Sequence, residues 1–181
     1  MKSPIKLSIL VCFFVLTSCY ESLDFNQIDD YVSKPEITSA LTYFTVKPAQ
    51  FFDSNGNQKY NITDVTNFYG LQNTYIHDNL VKINVNAEIT NQFDREVTLQ
   101  VDFLSSNNTV VYSFTPIIVE KGNLNYTYLE EIDLASQPLI LNTSKIRISA
   151  SIENTGVPLN VNDTSQFVFK SSVTLFIEAS I

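Results

Sequence analysis

A period of two governs this chain. Val81, Ile83, Val85, Ala87 and Ile89 alternate with Lys82, Asn84, Asn86 and Glu88. Successive side chains of an extended strand point to opposite faces, so this run is apolar on one side and polar on the other, as a half-buried strand requires. The pattern returns at Val97, Leu99, Val101 and Phe103 and again at Ile146, Ile148, Ala150 and Ile152. Phe167, Phe169, Val173, Leu175 and Ile177 share one parity of a long final strand. No segment carries a convincing apolar stripe of helical period, and one-sided strands bury their faces by stacking in layers.

The breaks between these runs set the expected order. Asn91 to Arg95 is long enough for a hairpin loop, so the strands on either side are expected to pair antiparallel. Ser105 to Asn108 forms the next turn, and Val110, Tyr112 and Phe114 open a third strand that ends near Gly122. Ile37 to Val46 reads as a first strand, with weaker ones around Gln50–Asp53, Tyr126–Leu129 and Pro138–Leu141. About seven or eight short strands predict an all-β fold, an antiparallel immunoglobulin-like β-sandwich, with a closed barrel as the rival. The run from Val81 to Gly122 resembles the immunoglobulin-like and late-embryogenesis-abundant-like sandwich modules, and that resemblance implies binding or spacing rather than catalysis. The disulfide and core Trp of antibody domains are missing. The core therefore rests on Phe, Tyr, Ile, Val and Leu alone, and a domain of this length, burying about 70% of its surface, needs no staple.

The first residues read as an address. Lys2 and Lys6 precede Leu7 to Leu16, an apolar run interrupted only by Ser8. It is about half the length of a membrane-spanning helix and fits a secretory signal. Leu16-Thr17-Ser18-Cys19 then resembles the bacterial lipobox at every position. The resemblance implies removal of residues 1–18 as a signal peptide and lipidation of Cys19, with two or three acyl chains holding the protein in the outer membrane. The covalent lipid on Cys19 is the one expected prosthetic group; no other cofactor is expected. The alternative is an ordinary signal with a chance cysteine, in which case Cys19 is an unpaired thiol once Cys12 departs. Residues 19–35 carry Glu21, Asp24, Asp29 and Asp30 against Lys34 and read as an acidic tether; as flexible coil it spans about 20 to 25 Å. Residues 36–181 are expected to form a single sandwich domain. Acidic residues after the cysteine partly resemble the surface-export signal of Bacteroidota lipoproteins. A composition of 13 Phe and 9 Tyr against 4 Gly resembles that phylum too. The periplasmic face and the cell surface both stay open.

Charge and composition narrow the chemistry. The 19 acidic side chains outnumber the 11 Lys and Arg, giving a net charge of −8, which becomes −10 when Lys2 and Lys6 leave with the signal. Phosphate binding needs clustered cations, so nucleic acid is excluded as a partner. One His and two Cys cannot furnish a His/Cys metal centre, so no metal site is expected. His77, beside Asp78, has no Gly-x-Ser-x-Gly elbow to serve, and neighbours on a strand face opposite ways; an ordinary surface histidine is expected. Glu130, Glu131 and Asp133 could supply a glycosidase's carboxylate pair, but they are expected in a solvated loop. Asp53 to Asn57 has alternating oxygen ligands, yet its glycine stands fourth rather than sixth as in an EF-hand, and a tight Asn-Gly turn explains it more simply. The Asn-x-Ser/Thr triplets mark polar turns. No catalytic residues are expected.

Tyr60 to Leu80 is dense in amides and aromatics without clean alternation. Tyr60, Phe68, Tyr69 and Tyr75 are candidate ligand-binding residues there, able to stack on sugar rings with Asn67, Gln72 and Asn73 bonding hydroxyls. The plainer reading makes them strand or core residues, and the absence of Trp weakens any sugar platform. The sequence thus predicts a non-enzymatic, membrane-anchored lipoprotein whose sandwich binds or spaces envelope or surface components. The alternative is a cell-surface carbohydrate-binding or carbohydrate-hydrolysing protein.

Overall fold

The structure, a computed structural model, describes residues 31–180. The signal, Cys19 and most of the expected tether lie outside the described residues. Among the described residues eleven strands follow one another: β1 Val32–Ser33, β2 Glu36–Val46, β3 Asn61–Asn67, β4 Leu80–Asn91, β5 Val97–Leu104, β6 Val110–Ser113, β7 Ile117–Val119, β8 Tyr126–Asp133, β9 Lys145–Ile152, β10 Phe167–Ile177 and β11 Ala179–Ser180. The first sheet has the order β2-β10-β4-β8, and the second runs β3-β9-β5-β6, with β7 also pairing β5. All these pairs are antiparallel. β1 and β11 pair with each other. Among the described residues no helix is long and apolar enough to cross a membrane.

The alternation read from the sequence becomes the core of an all-β sandwich. Ile83, Val85, Ala87 and Ile89 of β4 and Phe167, Phe169, Val173, Leu175 and Ile177 of β10 are buried, as are Val97, Leu99, Val101 and Phe103 of β5 and the four apolar residues of β9. One residue breaks the β4 pattern. Ile177 pairs with Leu80 while Phe176 pairs with Lys82, so Val81 is the extra residue of a bulge and faces out, and Leu80 takes the inward place.

The link between β4 and β5 is not the hairpin expected. β4 belongs to the first sheet and β5 to the second, so residues 92–96 form an arch between layers. Phe93 explains it: its ring is buried at the end of the core, in edge contact with Phe51 at 6.2 Å and beside Phe167 at 6.4 Å. A two-strand hairpin would leave that ring in water, forfeiting about 2 to 3 kcal/mol. Asn91, fully buried, holds the arch. Its Nδ2 donates to the carbonyls of Arg95 (2.8 Å), Val119 (3.1 Å) and Glu120 (3.0 Å), and its Oδ1 accepts from the Phe93 N–H at 3.0 Å. Arg95, also buried, donates to the Val157 carbonyl at 2.5 Å and pins the following loop.

Other expectations also shift. Gln50–Asp53 and Pro138–Leu141 are not strands: Pro48–Phe51 and Pro138–Asn142 are 3-10 turns, each opened by a proline whose missing N–H costs nothing at that position. The third strand splits into β6 and β7 around Pro116, which cannot donate to the ladder. Tyr126–Leu129 extends to Asp133, so Glu130, Glu131 and Asp133 are strand residues rather than loop residues. The segment 60–80 resolves into β3 and a short helix α1, Thr74–Asn79, capped by the Asn73 side chain accepting from the Ile76 N–H.

The two long sides of the sandwich differ. On one, β8 of the first sheet meets β6 of the second, and that side is sealed. Phe103, Tyr112, Phe114 and Tyr128 form a chain of ring contacts with centroids 5.6 to 6.2 Å apart. The Tyr112 hydroxyl donates to Glu130 Oε1 at 2.5 Å and the Tyr128 hydroxyl donates to Oε2, so one carboxylate ties both sheets together. Burial, reinforced by the Glu130 carboxylate, pushes both phenols well above the usual tyrosine range. Because the folded state holds these protons more tightly, this stabilisation is complete below the unfolded tyrosine value near about pH 10 and is lost as pH rises beyond it. Urea midpoints are expected to fall steeply above that pH, while tyrosinate absorbance shows two of the 9 tyrosines titrating last. Tyr112→Phe should flatten the fall; an unchanged profile would count against the clamp.

Candidate functional site

The opposite side is open. There β2 ends the first sheet and β3 ends the second, and among the described residues neither pairs along its outer edge. Exposed edges invite further strands, and proteins usually blunt them with lysine, proline or bulges. Here β2 has a single charge, Glu36, and β3 a single charge, Asp64. β2 is partly blunted: Ser171 pairs with Thr42 while Ser172 pairs with Ala40, leaving Leu41 as a bulge. The Ser171 hydroxyl fills the break, accepting from the Thr42 N–H and donating to the Thr42 carbonyl, both at 3.2 Å. β3 pairs with β9 over seven residues without any shift of register.

Between these edges runs a cleft. Its larger part holds about 280 Å³ over Phe44, Ile62, Ile148 and Ala150, and a continuation of about 110 Å³ runs over Leu41, Phe68 and Ile146. Phe44, Asp64 and Ile148 line both parts. The Phe44 ring is fixed by stacking on Phe169 at 5.2 Å. Phe68 lies over Gly70: a Cβ there would come 2.9 Å from the tip of the ring, so a larger residue would push the ring aside. Among the described residues Asp64 is the one charged residue lining the cleft, and its Oδ1 accepts from the Val65 N–H at 2.9 Å.

The residues singled out from the sequence fall around this cleft unevenly. Phe68 lines it and packs against the core. Tyr60, immediately before β3, is 37% exposed, Tyr69 is 66% exposed and Tyr75 on α1 is 49% exposed. The plainer reading thus describes Phe68, while three tyrosines face solvent. Leu41, Phe44, Ile62 and Asp64 were not singled out, because the cleft exists only once two sheets are stacked.

Other candidates take ordinary places. His77 and Asp78 sit on α1 rather than on a strand, and their side chains meet at 3.0 Å, whereas the opposite-facing geometry of strand neighbours left Asp78 poorly placed to orient His77. Both are exposed, and no hydroxyl among the described residues bonds the imidazole. Asp53 Oδ1 accepts from the Asn55 and Asn57 N–H groups at 2.8 and 2.9 Å in a tight turn with Gly56 at φ 79°. Those backbone bonds hold its carboxyl below the usual range. Among the described residues no group of three or more His, Cys, Asp or Glu side chains could hold a metal ion.

No protein-family model matches the sequence, and no curated protein matches it. Among solved structures it is similar to a Parabacteroides distasonis protein inferred to be secreted, with a TM-score of 0.48 and 12% identity over 64% of this chain. The chain spans 38% of that protein's length. It is also similar to the VP2 subviral particle of infectious bursal disease virus, at a TM-score of 0.42 and 14% identity, covering 82% of this chain and 33% of that one. A third similarity is to the enzymatically active domain of bacteriophage CBA120 tailspike protein 4, at a TM-score of 0.39 and 10% identity, covering 82% and 20% respectively.

Proposed function

We propose that this protein is a non-enzymatic lipoprotein, anchored in the outer membrane through acylated Cys19, whose sandwich binds other envelope or surface components. The tether expected over residues 19–35 ends before Val32, because Val32–Ser33 pair with β11 and Lys34 and Pro35 bond to Glu178 and Ile177, and the sandwich that follows is the binding domain. The observation that carries the binding role is the open side of the sandwich, where two strand edges flank an apolar cleft. The lipobox-like Leu16-Thr17-Ser18-Cys19 supports the anchor. One acyl chain gives only reversible attachment, whereas two or more keep a protein on the bilayer.

Cys19→Ala in the full chain tests the anchor. Nearly all of the protein is expected to move from the membrane pellet to the soluble fraction, and the wild type should carry acyl chains by mass spectrometry. Retention of the variant in the pellet would overturn the anchor. In-cell crosslinking from the cleft tests binding: recovery of defined envelope components is expected, and recovery of none overturns it.

The carbohydrate reading has one observation in its favour, the exposure of Tyr69 and Tyr75. Glycan-array binding abolished by replacing both with alanine would establish it in place of the first reading.

A further inference from the structure

Resting on the binding role just proposed, we infer that the cleft receives an extended peptide segment of another protein. This segment adds as a strand to the free edge of β3, is apolar at alternate positions, and carries a lysine or arginine opposite Asp64.

The form of the ligand follows from the walls. Among the described residues no strand pairs with the outer edges that bound the cleft, and on β3 one outward N–H, that of Val65, is taken by the Asp64 carboxylate at 2.9 Å. An added strand satisfies such groups with main-chain bonds, while its alternate side chains enter the space beneath. Of the two edges β3 is the better template. Its register with β9 is unbroken from Asn61 to Asn67, whereas β2 is kinked by the bulge at Leu41. Bulges of that kind discourage pairing.

The side-chain code follows from the face that β3 turns inward. Ile62, Asp64 and Thr66 share one parity and all line the cleft. A strand laid beside β3 would place its own inward residues next to these three, over Phe44 and Phe68. Apolar residues beside Ile62 and Thr66 would cover apolar surface. The position opposite Asp64 calls for a cation, since opposite charges directly across a strand pair attract and like charges repel. The same charge disfavours a second copy of this chain as occupant, because each copy carries a net charge of −8 and β3 itself offers only an aspartate.

The probe is a phage-displayed library of random peptides about twelve residues long, enough to run the length of either edge, selected on the full chain. Enriched peptides are expected to alternate apolar and polar residues around a central Lys or Arg. A synthetic copy should slow hydrogen exchange in Asn61–Asn67. Asp64→Lys, an exposed change that leaves the core intact, should weaken that peptide about fivefold, the scale of one exposed ion pair, and favour the copy with Glu in place of the cation. Failure to enrich any peptide, enrichment of proline-rich or uncharged sequences, or indifference to Asp64→Lys would each overturn the inference. So would sedimentation showing a dimer that Asp64→Lys alters, since a second copy would then hold the edge. Capture of envelope components by crosslinking, with no peptide enriched, would leave the binding role standing and remove the peptide strand.

Discussion

Asn91→Ala is expected to lower the free energy of unfolding by about 3 to 4 kcal/mol, a large share of what a domain of this size possesses. The side chain is fully buried and spends its whole capacity on backbone: two hydrogens serve three carbonyls, and its oxygen takes the Phe93 N–H. Alanine removes the side chain but leaves those groups dry, and an orphaned buried polar group costs more than a bond contributes. At this length the melting temperature should fall by about 10 °C. Asn91→Asp is a sharper variant, because it keeps the shape but turns lone pairs toward three carbonyl oxygens. Protonation relieves that repulsion, so the introduced carboxyl should hold its proton more tightly when folded than when unfolded. The deficit relative to the parent should therefore be least below about pH 4 and grow as pH rises. Denaturant melts across pH read both effects; a deficit under about 1 kcal/mol for Asn91→Ala would mean the arch does not depend on this residue.

Asp102→Ala should cost nearly as much for an electrostatic reason. Asp102 is 6% exposed on the outer face of the second sheet, where Oδ2 accepts from Arg147 Nη2 at 2.7 Å and Nε at 3.0 Å. Oδ1 accepts from Ser113 Oγ at 2.7 Å and Gln100 Nε2 at 3.2 Å. One carboxylate thus gathers groups from β5, β6 and β9. Removing it alone leaves a half-buried guanidinium, still able to reach water, and strips the Ser113 and Gln100 groups of their acceptor, a change expected to cost about 2 to 3 kcal/mol. Replacing both Asp102 and Arg147 with leucine removes the charges together, and most of the loss should be recovered. A double-mutant cycle measures this; equal losses from the single and double variants would show that packing, not ion pairing, is at stake.

The strands legible in the sequence are those with one wet face and one dry face. β4, β5, β9 and β10 meet that condition, and their buried residues fall where alternation puts them. β3 was hidden because it lies at an open edge: with both faces largely in water, Asn61–Asn67 needs no apolar parity. β8 was truncated because its inward parity contains Glu130, and a carboxylate inside a strand reads as loop until the two tyrosines that neutralise its burial are in place. The arch from β4 to β5 is not legible in the sequence because a short polar link suits a hairpin equally well, and only the burial of Phe93 and Asn91 distinguishes the two. Phe68 was visible as a candidate, but Phe44, Ile62 and Asp64 come from distant stretches that only the stacking of two sheets brings together.

The register of β2 has a mechanical consequence. Glu36, at the start of β2, pairs with Phe176 near the end of β10, and just beyond them the Ile177 N–H donates to the Pro35 carbonyl while Lys34 meets Glu178 at 2.7 Å. Tension between the two chain ends would therefore open this ladder like a zip, one rung after another, rather than shearing all rungs at once. A protein loaded in that direction would yield at low force by shedding its first long strand. Load borne between the front end of β2 and the start of β10 at Phe167, which lies beside Val46 at the opposite end of the ladder, would shear all the rungs together and be resisted far better.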